Sequence, residues 1–181
     1  MFSNELVKIK DEKLREVVAE YMNTYAPKYF YEIGASASGK YHPCFSQGKG
    51  GLVRHTKAVV MVLEELLKLS TYSYMPEAYK DYAFAAAIMH DTCKYGFCEE
   101  VDKTVYADHA KNAALYWETF CNEIGYAPHP FIAMAIRSHM GQWTTEREDK
   151  PFTSIDRVVH MADYFASRSF IDIPSLLESE S

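Results

Sequence analysis

Four histidines and two aspartates carry the chemistry this sequence could perform: His55, His90, Asp91, His109, His139 and Asp163. A neutral imidazole offers one lone pair and a carboxylate two acceptor oxygens, a donor set suited to Mn2+, Fe2+, Co2+, Ni2+ or Zn2+. No cysteine belongs to the set, which argues against a structural zinc site. His90-Asp91 carries the most weight. It follows Phe84-Ala85-Ala86-Ala87-Ile88-Met89, and an ionised Asp beside so apolar a run is costly to bury unless it is paired or binds a metal. Four imidazoles and two carboxylates exceed the needs of one tetrahedral ion. They suffice for two ions bridged by a carboxylate and a hydroxide.

Helices must bring these groups together. Leu14, Val17, Val18, Tyr21 and Met22 form an apolar stripe, predicting a helix over 11–25. Val59, Val60, Val62, Leu63, Leu66 and Leu67 predict a second helix from Leu52 to Leu69, with Gly50 and Gly51 at its start. Pro76 opens a third, which runs out near Lys94–Gly96. Asp108 is placed to cap a fourth, ending near Ile124 with Gly125 as its stop. Pro130 opens a fifth, and Thr153 with Asp156 begins a sixth that reaches Ser167. Each ligand-type group falls near a helix end except Asp163, and a bundle can converge such groups on one point. Residues 28–49 read as an ordered loop and the chain beyond Asp172 as a fraying tail. The expected fold is all-α, one compact helical bundle without repeat or linker.

The sequence resembles the HD superfamily of metal-dependent phosphohydrolases from about Gly50 to Arg168. The blocks are GGLVRHTKAVV with His55, AAAIMHDTCK with His90 and Asp91, DHAKNAA with His109, AIRSHMG with His139, and VVHMADYFASR with Asp163. Their order, H…HD…H…H…D, is similar to the two-metal version found in HD-type diadenosine-tetraphosphate hydrolases, cyclic-dinucleotide phosphodiesterases and exoribonucleases. The resemblance divides the chain into an N-terminal helix and Gly/Ser loop (1–49), a metal-binding core (50–168) and a flexible tail (173–181). It implies that His55, His90, Asp91 and Asp163 hold one divalent ion and His109 and His139 a second, with Asp91 bridging. The ions would be of the Mn, Fe, Co or Zn class, Mn first. A metal-bound hydroxide would then attack phosphorus, giving Asp91 a catalytic role as well.

Lys94, four residues after His90, makes an HDxxK motif. The family reading makes it a catalytic phosphate contact; otherwise it is a lysine favoured by a helix C-terminus. Arg54 and Arg137 are candidate phosphate clamps, although neighbouring positions on a helix point elsewhere. Gly34 to Lys40 spells GxxxxGK, but Tyr41 stands where a P-loop needs Ser or Thr and Pro43 interrupts the following helix. An NTPase is excluded on that context. Ser36, Ser38, Lys40 and His42 remain candidates for substrate contact, in a loop that looks like the one preceding the HD core in small relatives of the exoribonuclease branch. His160 shares a helical face with Asp163 and is a further ligand, a partner of one, or a packed residue. His129 reads as structural. Trp143 and Tyr164 suit either rim packing or base stacking.

Composition narrows the function. The 181 residues carry a net charge of −6, whereas proteins that grip long nucleic acids usually present basic surfaces. A small nucleotide-type substrate is expected and a long nucleic acid is not. Four scattered cysteines (44, 93, 98 and 121) without a CxxC pair read as reduced thiols. No apolar run approaches the ~20 residues needed to span a bilayer, and the amino-terminal text has no signal-peptide core. A cytoplasmic protein, potentially a homo-oligomer, follows. The leading function is hydrolysis of a phosphoester or phosphoanhydride bond in a nucleotide, dinucleotide or short oligonucleotide. A 3′–5′ exonuclease, a non-catalytic nucleotide sensor and a helical interaction module are the alternatives.

Overall fold

The computed structural model describes residues 1–36, 42–97 and 100–176. Among them are seven α-helices and no strand: α1 (Ser3–Leu6), α2 (Glu12–Glu20), α3 (Gly51–Leu66), α4 (Glu77–Met89), α5 (His109–Glu123), α6 (Pro130–Ser138) and α7 (Ser154–Ala166). Ser38, Lys40 and Cys98 lie outside the described residues, as does the end of the expected tail.

Helix α4 is the axis of the bundle. Every residue from Ala83 to Met89 is buried, and a helix apolar around its whole circumference belongs at a centre rather than a surface. It packs against α3, α6 and α7 at once. Ala83, Ala85, Ala86 and Ala87 keep its girth small enough for three neighbours to close in. Helix α7 shows the commoner design, with Ile155, Val158, Val159, Ala162 and Ala166 buried along one stripe. Its start is fixed by a capping box: Thr153 Oγ1 accepts from Asp156 N at 3.2 Å, and Asp156 Oδ2 accepts from Thr153 N at 2.8 Å. Such a cap contributes about 1 kcal/mol.

The chain departs from its periodicity in several places. A short α1 precedes the first expected helix. The last turn of that helix, Tyr21–Tyr25, widens into a π-turn, with Ala26 N donating to Tyr21 O at 2.9 Å. Asp108 stands at the start of α5, but its side chain makes no capping hydrogen bond. A 3-10 turn over Lys103–Asp108 runs directly into α5, and the acidic cap sits one turn earlier, where Asp102 Oδ1 accepts from Thr104 N at 2.9 Å. Beyond Met89 the chain stays coiled in tight turns, with Thr92 N, Lys94 N and Gly96 N donating to Met89 O, Asp91 O and Cys93 O. The described part of the tail packs, since Leu176 is buried.

The loop before α3 is pinned rather than slack. Ala35 N donates to Ser46 O at 2.9 Å and Leu52 N to Ile33 O at 2.9 Å. Gly51 permits this closeness, because a Cβ there would stand 2.2 Å from Ser46 O. At the opposite end of α4, the buried Asp81 carboxylate accepts from Lys10 N and Asp11 N, each at 2.8 Å, tying the amino-terminal turn to the core.

Candidate metal centre

Five helices deliver the six ligand-type groups to one pocket. His55 comes from the second turn of α3; His90 and Asp91 follow the end of α4. His109 opens α5, His139 follows α6, and Asp163 lies in the last turn of α7. His55, His90, Asp91, His109 and His139 are buried. His55 Nε2 lies 3.0 Å from Asp163 Oδ1, and His90 Nε2 lies 3.7 Å from both Asp163 Oδ1 and Asp91 Oδ2. Asp91 Oδ1 lies 3.2 Å from His109 Nε2 and 3.7 Å from His139 Nε2.

Backbone carbonyls set the tautomers. His90 Nδ1 faces Ala87 O at 2.8 Å, His109 Nδ1 faces Tyr106 O at 2.7 Å, and His139 Nδ1 faces Ile136 O at 2.7 Å. A carbonyl only accepts, so each Nδ1 carries a proton, which in a neutral ring leaves Nε2 with its lone pair. Those lone pairs converge. His109 Nε2 and His139 Nε2 are 3.1 Å apart and both face Asp91 Oδ1, which is buried with no hydrogen-bond partner, as is His90 Nε2. Electron-rich atoms so arranged repel one another unless a cation lies among them. Three overlapping triads have ligand atoms within 4.8 Å of one another: His55 with His90 and Asp91, His90 with His139 and Asp163, and Asp91 with His109 and His139. The donor set therefore fits a divalent metal.

Electrostatics keep the donors available. Burial pushes the His90 imidazole down; burial, with His90 and His109 nearby, takes His139 to about 3. Both stay neutral at physiological pH. Burial opposes the charge on Asp91, yet Lys94 and the imidazoles outweigh it and hold the carboxyl well below the usual range. Lys94 is only 5% exposed, and its Nζ lies 2.6 Å from Asp91 Oδ2. Burial likewise opposes its charge, and Asp91 raises it above the ordinary lysine value. Asp163 is held low in the same way, chiefly by His55 and His90 against burial.

The turn that carries His90, Asp91 and Lys94 is braced from behind. Tyr21 Oη and Thr92 Oγ1 are hydrogen-bonded at 2.9 Å, and Thr92 Oγ1 donates to Met89 O at 2.8 Å. Tyr29 Oη accepts from Tyr95 N at 3.0 Å and donates to Gly96 O at 2.7 Å. The turn after α6 has its own support: His160 Nδ1 donates to His139 O at 2.8 Å. Gly141 makes room for that imidazole. It has φ +54°, and a Cβ there would lie 2.1 Å from the ring.

The pocket encloses about 370 Å3. Lys94, His42 and five of the ligand-type groups line it with Tyr106, Met140, Trp143, Ser167 and Arg168, while His90 lies fully buried behind the lining. His42 faces His55 with ring centroids 6.0 Å apart; burial, then His55 and Lys94, takes it to about 4, so it too is neutral. Of the other residues singled out in the sequence, Ser36 is half-buried in the loop before α3 and is not part of the pocket lining, while Ser38 and Lys40 lie outside the described residues. Arg54 braces the loop, donating to Phe45 O and Gln47 O. Arg137 turns away from His139 to pair with Asp149, and Glu148 lies 3.4 Å from it. Neither arginine lines the pocket. Arg168 and Tyr106 do, and neither role is legible in the sequence, because each reaches the pocket through tertiary packing rather than motif spacing.

The comparison with known families decides the kinship: the HD domain model matches residues 52–168, well over half of the chain. The chain belongs to the HD domain family. The match spans α3 to α7 and includes all six convergent groups. No curated protein and no solved structure was found to match. HD domains are metal-dependent phosphohydrolases, and the His/Asp clusters of this HD domain are of the kind that holds a divalent metal. Among the described residues no helix is long and apolar enough to cross a membrane.

Proposed function

We propose that the protein hydrolyses a phosphoester or phosphoanhydride bond of a nucleotide, dinucleotide or short oligonucleotide, using two divalent ions, with manganese the first candidate, in the cytoplasm. The observation that carries this reading is the convergence of four imidazoles and two carboxylates beside one pocket, with His90 Nε2 and Asp91 Oδ1 buried and without hydrogen-bond partners. His55, His90, Asp91 and Asp163 would hold one ion; His109, His139 and Asp91 would hold the other. Bound there, such ions supply an activated water and neutralise charge that grows on a phosphoryl group.

The chain's own residues do the rest. The Nδ1–H donations to Ala87, Tyr106 and Ile136 fix the rings so that Nε2 faces inward, which keeps the donors preorganised. Asp91 presents Oδ1 to His109 and His139 and Oδ2 to His90 and Lys94. Lys94 balances its charge, and its ammonium would help to stabilise negative charge on phosphate oxygens. Tyr106, Met140 and Trp143 line the side of the pocket that a substrate would meet. His42, a neutral imidazole at the floor, is placed to contact the substrate or the water it reacts with.

The test is a turnover screen on protein loaded with Mn2+, using nucleoside mono- and triphosphates, dinucleoside polyphosphates and short oligonucleotides. Metal-dependent product release that EDTA abolishes and added Mn2+ restores is expected. Metal binding without turnover of any member of the panel would overturn the reading in favour of a nucleotide sensor.

A further inference from the structure

We propose that Trp143 and Arg168, backed by Tyr164, form a base-stacking subsite at the pocket wall, and that it selects nucleotides over simpler phosphates without discriminating strongly among bases. The inference rests on the phosphohydrolase reading and adds the part of the substrate that is recognised.

Trp143 sits on a 3-10 turn just after α6, and Tyr164 and Arg168 come from α7 and its end. The Trp143 and Tyr164 rings are near-parallel, 21° apart, with centroids 5.6 Å apart. The Arg168 guanidinium lies over both, 4.5 Å from the Tyr164 centroid and 5.5 Å from that of Trp143. It is held there because Nε donates to Tyr164 O at 3.2 Å and Nη2 to Ser167 Oγ at 2.9 Å. Trp143 is 48% exposed despite having Tyr164 against it.

Its position adds to the argument. Trp143, Tyr106 and Met140 line the metal-site pocket and also a neighbouring cavity of about 360 Å3. They form a partition that a ligand can reach from the site, so a phosphate at the pocket floor puts its organic substituent against this wall. What the wall offers is flat and polarisable: indole, phenol ring, guanidinium plane and a thioether. Every nucleobase has a π-face to present to such a surface, which makes recognition by stacking tolerant of base identity. A purine covers more of the platform than a pyrimidine and should be modestly favoured.

The experiment compares adenosine 5′-monophosphate with ribose 5-phosphate on Mn2+-loaded protein, reading Kd, or KM where a ligand is turned over. The adenine nucleotide should bind roughly ten-fold tighter or better, and the four common nucleoside monophosphates should lie within about ten-fold of one another. Trp143→Ala should collapse the ratio between the two ligands toward one, and Trp143→Phe should retain most of it. The chain has two tryptophans, and Trp117 is fully buried. Quenching of intrinsic fluorescence by the nucleotide should therefore arise from Trp143 and be absent with ribose 5-phosphate, a readout that needs no variant. Equal affinity for the two ligands would overturn the subsite and leave the phosphohydrolase reading standing. Failure of both to bind would overturn the subsite, while the turnover screen decides the phosphohydrolase reading separately.

Discussion

His109 Nε2 and His139 Nε2 stand 3.1 Å apart in the core, each ring having committed its Nδ1–H to a carbonyl three residues back. Two ring nitrogens held this close to each other and to Asp91 Oδ1 form an arrangement that a shared cation would stabilise. The two rings come from helices that pack directly on each other, α5 and α6. The helix pairing itself therefore enforces the contact.

His109→Leu should show that balance. In chelated protein the variant loses the bond to Tyr106 O but also relieves the close approach of its ring to His139, and its unfolding free energy should stay within about 1 kcal/mol of wild type. Stabilisation by added Mn2+ should be reduced. Urea titrations with and without metal measure both. A variant several kcal/mol less stable when chelated would mean that His109 serves the fold rather than the site.

Lys94→Ala removes the cation beside a buried carboxylate. Breaking such a pair costs about 3–5 kcal/mol because it leaves a charge uncompensated, so the chelated variant should be strongly destabilised and metal should recover most of the loss. The loaded variant should keep its metal and turn over more slowly. Metal loss in the variant would contradict the role given to Lys94.

Gly141→Ala drives a methyl group into the His160 ring and strains a positive-φ residue. The turn that presents His139 must then shift. Metal affinity should fall by about 10–100-fold, with a smaller fall for His160→Ala, which removes the donor to His139 O but opens space. Calorimetric metal titration gives the order, and an unchanged affinity in Gly141→Ala would show that the turn does not position the ligand.

Asp81→Asn separates stability from function. It leaves one of the two backbone donors from Lys10 and Asp11 without a good acceptor, and a loss of about 1–3 kcal/mol is expected. Metal content should remain at the wild-type level, since Asp81 sits at the far end of α4 from His90. Thermal melts and elemental analysis check the two halves.

Much of this organisation could be read from the sequence. The apolar text of Phe84–Met89 pointed to burial around His90-Asp91, and Thr153 with Asp156 marked the start of α7 correctly, because both signals are local. Asp108 misled, since a capping residue is recognised by type while its use depends on the turn that precedes it. The fate of Arg137 was hidden for a similar reason: its partner Asp149 lies twelve residues onward in an irregular segment. The six convergent groups stood out as a motif, but the Nδ1 donations that aim them, and the wall of Tyr106, Trp143 and Arg168, depend on distances between helices.

The most direct test of the central claim is elemental analysis of wild-type protein and Asp91→Ala, purified without chelator or nickel resin and resupplied with Mn2+. The account predicts about two equivalents in the wild type. In the variant, where the carboxylate that faces both positions is gone, it predicts loss of both metal and turnover. Full metal content and activity in Asp91→Ala, or no metal in the wild type even after resupply, would contradict it.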